Sequence, residues 1–196
     1  MSSMRRPLSP FEANLLRSKV FNLIKSKSFS KGKYVLASGQ ESNYYLDMKP
    51  TMFDPEGSNA LSEIILERLE SLKVDYVGGL ALGAVPLISV ITMLSHQRER
   101  PIPGFFVRKE VKDHGTKKLV EGVSDGALKG KRVVILDDVT TTGCSAMVAA
   151  RAAQEAGAKI ILVLSIVDRE EGATEFYAKE GIPFECLFTA NEFLNS

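Results

Sequence analysis

Two cysteines, Cys144 and Cys186, are all that the 196-residue chain contains, too few for a disulfide framework or a self-contained zinc site. They read as reduced thiols. Charge of one sign is also lacking: 25 Lys and Arg against 24 Asp and Glu leave a formal net charge of +1, so no global field draws in nucleic acid or an anionic membrane. Any anion site must then be a local cluster. Long apolar runs are missing too, for the longest, Leu80 to Leu94, is broken by Gly83, Pro86, Ser89 and Thr92 and falls short of a bilayer span. Met1 to Phe11 carries Arg5, Arg6, Pro7 and Pro10 without the apolar stretch of a secretory signal. A soluble, cytoplasmic protein with no nucleic-acid or membrane partner is expected.

What is present looks globular. The chain is 44% hydrophobic and 25% charged, near the average for folded domains. At roughly 150 residues per domain, one domain over 1–196 is expected, large enough to build a core without staples. Ser9-Pro10-Phe11-Glu12 combines an N-cap hydroxyl, Pro at N1 and Glu at N3, predicting a helix through Phe11, Leu15, Val20 and Ile24. A turn over Lys25 to Lys33 follows, and two short β-prone runs, Tyr34 to Leu36 and Tyr44 to Leu46, suggest two strands at the edge of the fold or in a small N-terminal hood. From Ser58 the pattern becomes strand–helix alternation. Leu61, Ile64, Ile65, Leu69 and Leu72 mark a helix, followed by strand 76–80, helix 86–97, strand 104–107, strand 132–136, helix 145–156 and strand 160–167. A short helix 174–179, a strand 184–188 and a capped turn at Thr189-Ala190-Asn191-Glu192 end the chain. This order predicts an α/β fold with a mostly parallel sheet covered by helices on both faces, and ligands beyond the carboxyl ends of its strands.

The most informative stretch runs from Val133 to Ser145. An apolar strand delivers Asp137 and Asp138 to its carboxyl end, and a turn of Val139, Thr140, Thr141, Thr142 and Gly143 opens a helix at Cys144 and Ser145. Free N–H groups at a helix start, with threonine hydroxyls, wrap a phosphate without a lysine. The two carboxylates would repel that phosphate and suit a polyol beside it. A ribose 5-phosphate has both features, although an ordinary acidic turn with threonine caps has the same spelling. Gly143 precedes Cys144 rather than Lys, and Gly78-Gly79-Leu80-Ala81-Leu82-Gly83 does not fit G-x-G-x-x-G, so neither common nucleotide motif is present.

Three further segments bear on chemistry. Arg108-Lys109-Glu110-Val111-Lys112-Asp113-His114-Gly115 is either a solvated basic loop or a set of cations for an anion that gains charge as a bond breaks. Arg169, after strand 160–167, either pairs with Glu170 or Glu171 or grips a planar carboxylate with two parallel hydrogen bonds. Ala81 to Pro86 is a tight strand-to-helix turn whose small residues also let backbone amides approach an anion.

With these residues in place, the segment Asp137 to Ser145 resembles the phosphoribosyl diphosphate (PRPP) motif of type I phosphoribosyltransferases. The Lys112-Asp113-His114-Gly115 string is similar to the catalytic loop of the orotate phosphoribosyltransferases, and the likeness extends from about Leu36 to Gly172. The resemblance implies transfer of the 5-phosphoribosyl group from PRPP to N1 of orotate, on a type I phosphoribosyltransferase fold. It assigns catalytic roles to Lys112, His114 and Asp138. PRPP is expected on Arg108, Lys109, Lys112, His114, Asp137, Asp138, Val139, Thr140, Thr141, Thr142, Gly143, Cys144 and Ser145. Orotate is expected on Thr141, Arg169, Tyr45 and Leu46, the last two from the segment Ser42 to Leu46. Mg2+ is implied as cofactor, held mainly through PRPP because two carboxylates are too few for a protein cage. A homodimer with shared active sites is implied as well. Some family members have lysine where this chain has Ala37, and Tyr-Lys where it has Leu82-Gly83, so only backbone contacts carry over from the latter turn. The competing readings are a phosphoribosyltransferase for another base and a non-catalytic PRPP-binding regulator.

Overall fold

The computed structural model describes residues 8–35, 39, 41–110 and 118–196. Along the chain run helix α1 (Pro10–Lys27), strands β1 (Phe29–Val35) and β2 (Glu41–Leu46), and helices α2 (Lys49–Met52) and α3 (Pro55–Glu70). Then come β3 (Tyr76–Gly79), α4 (Val85–Gln97), the short β4 (Phe106–Val107) and β5 (Val120–Glu121), and β6 (Arg132–Thr140). Helix α5 (Cys144–Glu155), β7 (Lys159–Asp168), α6 (Ala173–Glu180), β8 (Phe184–Thr189) and α7 (Ala190–Leu194) complete the order.

Strands β3, β6, β7 and β8 form one parallel sheet in that spatial order. Its two faces are read off β6 alone. Val134 and Leu136 join the cluster that holds Leu61 and Ile65 of α3 with Leu87 and Ile91 of α4, whereas Val133 and Ile135 join Ala146, Ala149, Ala150 and Ala153 of α5. Because successive strand residues point to opposite faces, an unbroken apolar run is the signature of a strand covered on both. The α/β expectation is met.

Several boundaries move, each for a physical reason. The turn expected over Lys25 to Lys33 is instead the end of α1 and most of β1. Polar Ser30, Lys31 and Lys33 form a strand because the β1–β2 hairpin is antiparallel and turns one face to water, while Phe29 packs its ring on Tyr44 and Phe193. Strand β6 runs past Leu136 to Thr140, held by pairing of Val139 with Val167 and Thr140 with Asp168, so both carboxylates sit inside the strand. Segment 104–107 is an irregular extra edge: Gly104 and Val107 bridge in parallel to Val77 and Leu80, and only Phe106 and Val107 pair with β5. Helix α3 begins at Pro55 because Asp54 caps it, accepting from the Gly57 N–H at 2.9 Å. The final capped turn lengthens into α7, whose Phe193 stacks on Phe21 of α1 with ring centroids 4.5 Å apart.

Candidate active site

The parallel strands β3, β6 and β7 end at one edge of the sheet, and each is followed there by a helix. The starts of α4, α5 and α6 have in common that no side chain caps them. Of the other helices, the short α2 also has no side-chain cap, but α1, α3 and α7 are closed: Ser9 and Glu12 form a capping box on α1, Asp54 caps α3, and Glu192 accepts from the Thr189 N–H at 3.0 Å before α7. Since the first-turn N–H groups of a helix have no intrahelical partner, the starts of α5 and α6 leave donors free at the edge where a ligand is expected, whereas at α4 the Val85 N–H already donates to Leu82 O at 3.2 Å and Pro86 has no N–H. That edge is suited to anions.

The carboxylates are set deeper. Asp137 is only 7% exposed and accepts a hydrogen bond from Thr140 Oγ1 at 2.8 Å. Burial pushes its carboxyl up to about 7, against the pull of that bond, with the neighbouring Asp138 adding to the rise. Asp138 is half-buried and raised for the same reason, with backbone N–H groups and the positive charge of Lys49 opposing the shift. Its carboxylate lies against Gly83, where a Cβ would stand 2.5 Å from Oδ1. Glycine at 83 is therefore what lets the 81–84 turn approach Asp138. Asp168, paired with Thr140 across the strands, is buried and also shifted up, by burial first.

Beyond β6 the chain opens outward. Val139 and Thr141 are half-buried, while Thr142, Cys144 and Ser145 are exposed at the start of α5. Thr140, by contrast, is buried with its hydroxyl spent on Asp137. Gly143 supplies the left-handed turn (φ 87°) that makes the helix start possible.

Arg169 is directed by β7 and by aromatic packing. Its side chain is 9% exposed, with the guanidinium carbon 4.6 Å from the centre of the Tyr44 ring and Nε donating to Glu171 Oε1 at 2.8 Å. The local ion pair weighed from sequence is real, but it uses Nε and not the two terminal amino groups. Among the aromatic candidates the register matters. Tyr44 and Leu46 point inward, and Tyr45 faces out beside Tyr34 at 5.5 Å between ring centres, because alternate strand residues take opposite faces. So the ring on Arg169 is Tyr44, which sequence reasoning passed over, while Leu46 belongs to the core cluster of α3 and α4.

Lys49 was also missed. It donates through Nζ to Asp47 Oδ1 at 2.9 Å and acts electrostatically on Asp138, a proximity between the start of α2 and strand β6 that only the tertiary packing creates. The basic segment begins at the same edge: Ala81 N–H donates to Val107 O at 2.8 Å, and the next residue, Arg108, is paired with Glu121 at 2.8 Å. Lys109 is exposed. Lys112 and His114 lie outside the described residues. Among the described residues no group of three or more His, Cys, Asp and Glu side chains is arranged to hold a metal ion.

Comparison with known proteins identifies the family of this fold. Residues 54–195 match the model of the phosphoribosyl transferase domain. An orotate phosphoribosyltransferase of Rhodopseudomonas palustris is 52% identical over 181 residues, covering 92% of this chain and 97% of that protein. Among solved structures, the orotate phosphoribosyltransferase of Mycobacterium tuberculosis in complex with Fe(III) dicitrate superposes with a TM-score of 0.79 at 32% identity, covering 91% of this chain and 98% of that one. The same enzyme in complex with PRPP gives a TM-score of 0.75 at 29% identity, with the same coverage. The fold and the matched length agree, and the chain belongs to the orotate phosphoribosyltransferase family, built on the type I phosphoribosyltransferase fold.

Proposed function

We propose that this chain transfers the 5-phosphoribosyl group from PRPP to N1 of orotate, releasing diphosphate and giving orotidine 5′-monophosphate for UMP synthesis. The observation that carries the reading is the placement of Arg169, anchored on Tyr44, along the same edge as the uncapped start of α5: a carboxylate grip beside a phosphate cradle. In this scheme the 5-phosphate sits on the segment from Thr141 to Ser145, Asp137 and Asp138 hold the ribose hydroxyls, and Arg169 holds the orotate carboxylate. Orotate's ring nitrogen is the nucleophile and diphosphate leaves early, so the ribose passes through an oxocarbenium-like state with inversion at C1. No enzyme nucleophile is required. The protein supplies positioning and charge stabilisation, and Arg108, Lys109, Lys112 and His114 meet the departing diphosphate. The test is incubation with orotate, PRPP and Mg2+ while following loss of orotate absorbance. Consumption of uracil or a purine instead, with orotate untouched, would replace this reading by that of another base.

Mg2+ fits the oxygen-only donors present, since Asp138 offers hard carboxylate oxygens at the ribose side while Asp137 is already bonded to Thr140. Bound with PRPP, it would neutralise charge on the diphosphate. A magnesium-free run is expected to lose activity. Lys112→Ala is expected to lower kcat by about 10²–10³-fold, the scale for one preorganised donor to developing charge; a drop of tenfold or less would make the segment chiefly a cover. The chain is taken as a single domain acting in the cytoplasm, as a homodimer whose basic segment reaches the neighbouring site. Leu82, 82% exposed just before α4, and Met93, 51% exposed within it, are apolar side chains that a second copy would cover. Mixing Lys112→Ala with Asp138→Ala subunits is expected to restore partial activity, and absence of rescue would mean self-contained sites.

A further inference from the structure

Tyr177 has no place in the scheme above, yet it is the side chain most closely engaged with the turn that opens α5. It is fully buried, and its hydroxyl donates to the Gly143 carbonyl at 2.7 Å, across 34 residues of sequence. The ring is fixed on both sides. It stacks on Phe184 with centroids 4.9 Å apart and 22° between planes, and meets Phe176 edge-on at 5.4 Å. A Cβ at Gly143 would lie 2.8 Å from Phe176 Cδ1 and 2.8 Å from Tyr177 Cε2, so α6 presses directly against this one peptide unit.

The geometry has a consequence for ligand binding. In a trans peptide the carbonyl of one residue and the N–H of the next point in opposite directions. The Gly143 carbonyl is held inward by two donors, Tyr177 Oη at 2.7 Å and the Met147 N–H at 3.1 Å, which sends the Cys144 N–H outward to the sheet edge. Gly143, with φ 87° and no Cβ, would otherwise let this peptide rotate more freely than any other residue type. We propose that Tyr177 is a positioning residue that locks the Gly143–Cys144 peptide so that the Cys144 N–H is preorganised to donate to the 5-phosphate of the substrate. The inference rests on the PRPP reading above and goes beyond it by naming what holds the cradle rigid.

Tyr177→Phe removes the hydroxyl and keeps the ring. It is expected to raise KM for PRPP by about tenfold, the equivalent of one net hydrogen bond of ordinary strength, with kcat and the Kd for orotate unchanged within twofold. Phe176→Leu disturbs the same packing but leaves the hydroxyl, and is expected to leave KM for PRPP near its original value. Equal effects from the two variants, or an unchanged KM in Tyr177→Phe, would overturn the proposal. A measurement on the unaltered protein guards against a variant that does not fold: the Cys144 amide resonance is expected to move downfield as ribose 5-phosphate is added. A Cys144 amide that stays put while ribose 5-phosphate binds would also overturn it. If the unaltered protein binds neither PRPP nor ribose 5-phosphate, it is the PRPP reading itself that fails, and the positioning role with it.

Discussion

Arg169→Leu is expected to lower kcat/KM for orotate by about 10²–10³-fold while leaving the Kd for PRPP within a few-fold of its original value. The size follows from the loss of two charge-assisted hydrogen bonds, each worth about 1.5–3 kcal/mol when a charged partner is left behind, less what water recovers at the rim. Arg169 is suited to the grip because its position is determined before substrate arrives: the guanidinium lies 4.6 Å from the centre of the Tyr44 ring and Nε is tied to Glu171 at 2.8 Å. Less side-chain freedom is then lost on binding. Arg169→Lys keeps the charge but not the planar fork, and an intermediate loss is expected. Steady-state kinetics with orotate varied at saturating PRPP measure both. Equal losses toward orotate and PRPP would show that Arg169 serves the whole edge rather than the base.

The second large effect concerns stability. Asp137→Asn is expected to raise the unfolding temperature at pH 8, leave it close to the original at pH 4, and cut activity at least tenfold. The Asp137 carboxyl has its folded value raised from 3.8 to about 7 by burial, so between those values the folded chain keeps a proton that the unfolded chain releases. Stability from the neutral carboxyl is complete below about pH 4 and is lost as pH rises through about 7. Three pH units at about 1.4 kcal/mol each set an upper bound of about 4 kcal/mol, or roughly 8–16 °C for a chain of this size. Asparagine avoids the buried charge and still accepts from Thr140. Subtracting unaltered protein from variant at each pH cancels the contribution of Asp168, which burial also raises, and leaves that of Asp137 together with its coupling to Asp138. A difference that is the same at both pH values would mean that Asp137 is neutral, or fully solvated, throughout. The edge thus keeps a costly carboxylate where a ribose hydroxyl is proposed to bind, as functional sites commonly do.

Some of this was legible from residue order because the pieces are local. Strand β6, its two aspartates, the threonine turn and α5 are contiguous, and the apolar run, Gly143 and the helix start each have a local physical signature. Arg169 was legible as the residue leaving the next strand. The hood was less so. Strand β1 is written in Ser, Lys and Gly, residues whose own preferences favour turns, and only pairing with β2 and the Phe29 contacts with Tyr44 and Phe193 make it a strand.

The residue order by itself determined the α/β class, the sheet edge proposed for ligands and the identity of the groups there, because hydrophobic period, turn chemistry and ionisable type are carried by neighbours in the chain. Only the tertiary structure decided how those groups are buried, paired and turned. It buries Asp137 on Thr140, turns Tyr44 rather than Tyr45 onto Arg169, brings Lys49 toward Asp138, and sets Tyr177 against Gly143. Each of these depends on strand register or on packing between residues far apart in sequence, and desolvation, the force that shifts the carboxylates, exists only once those distant surfaces have closed over them.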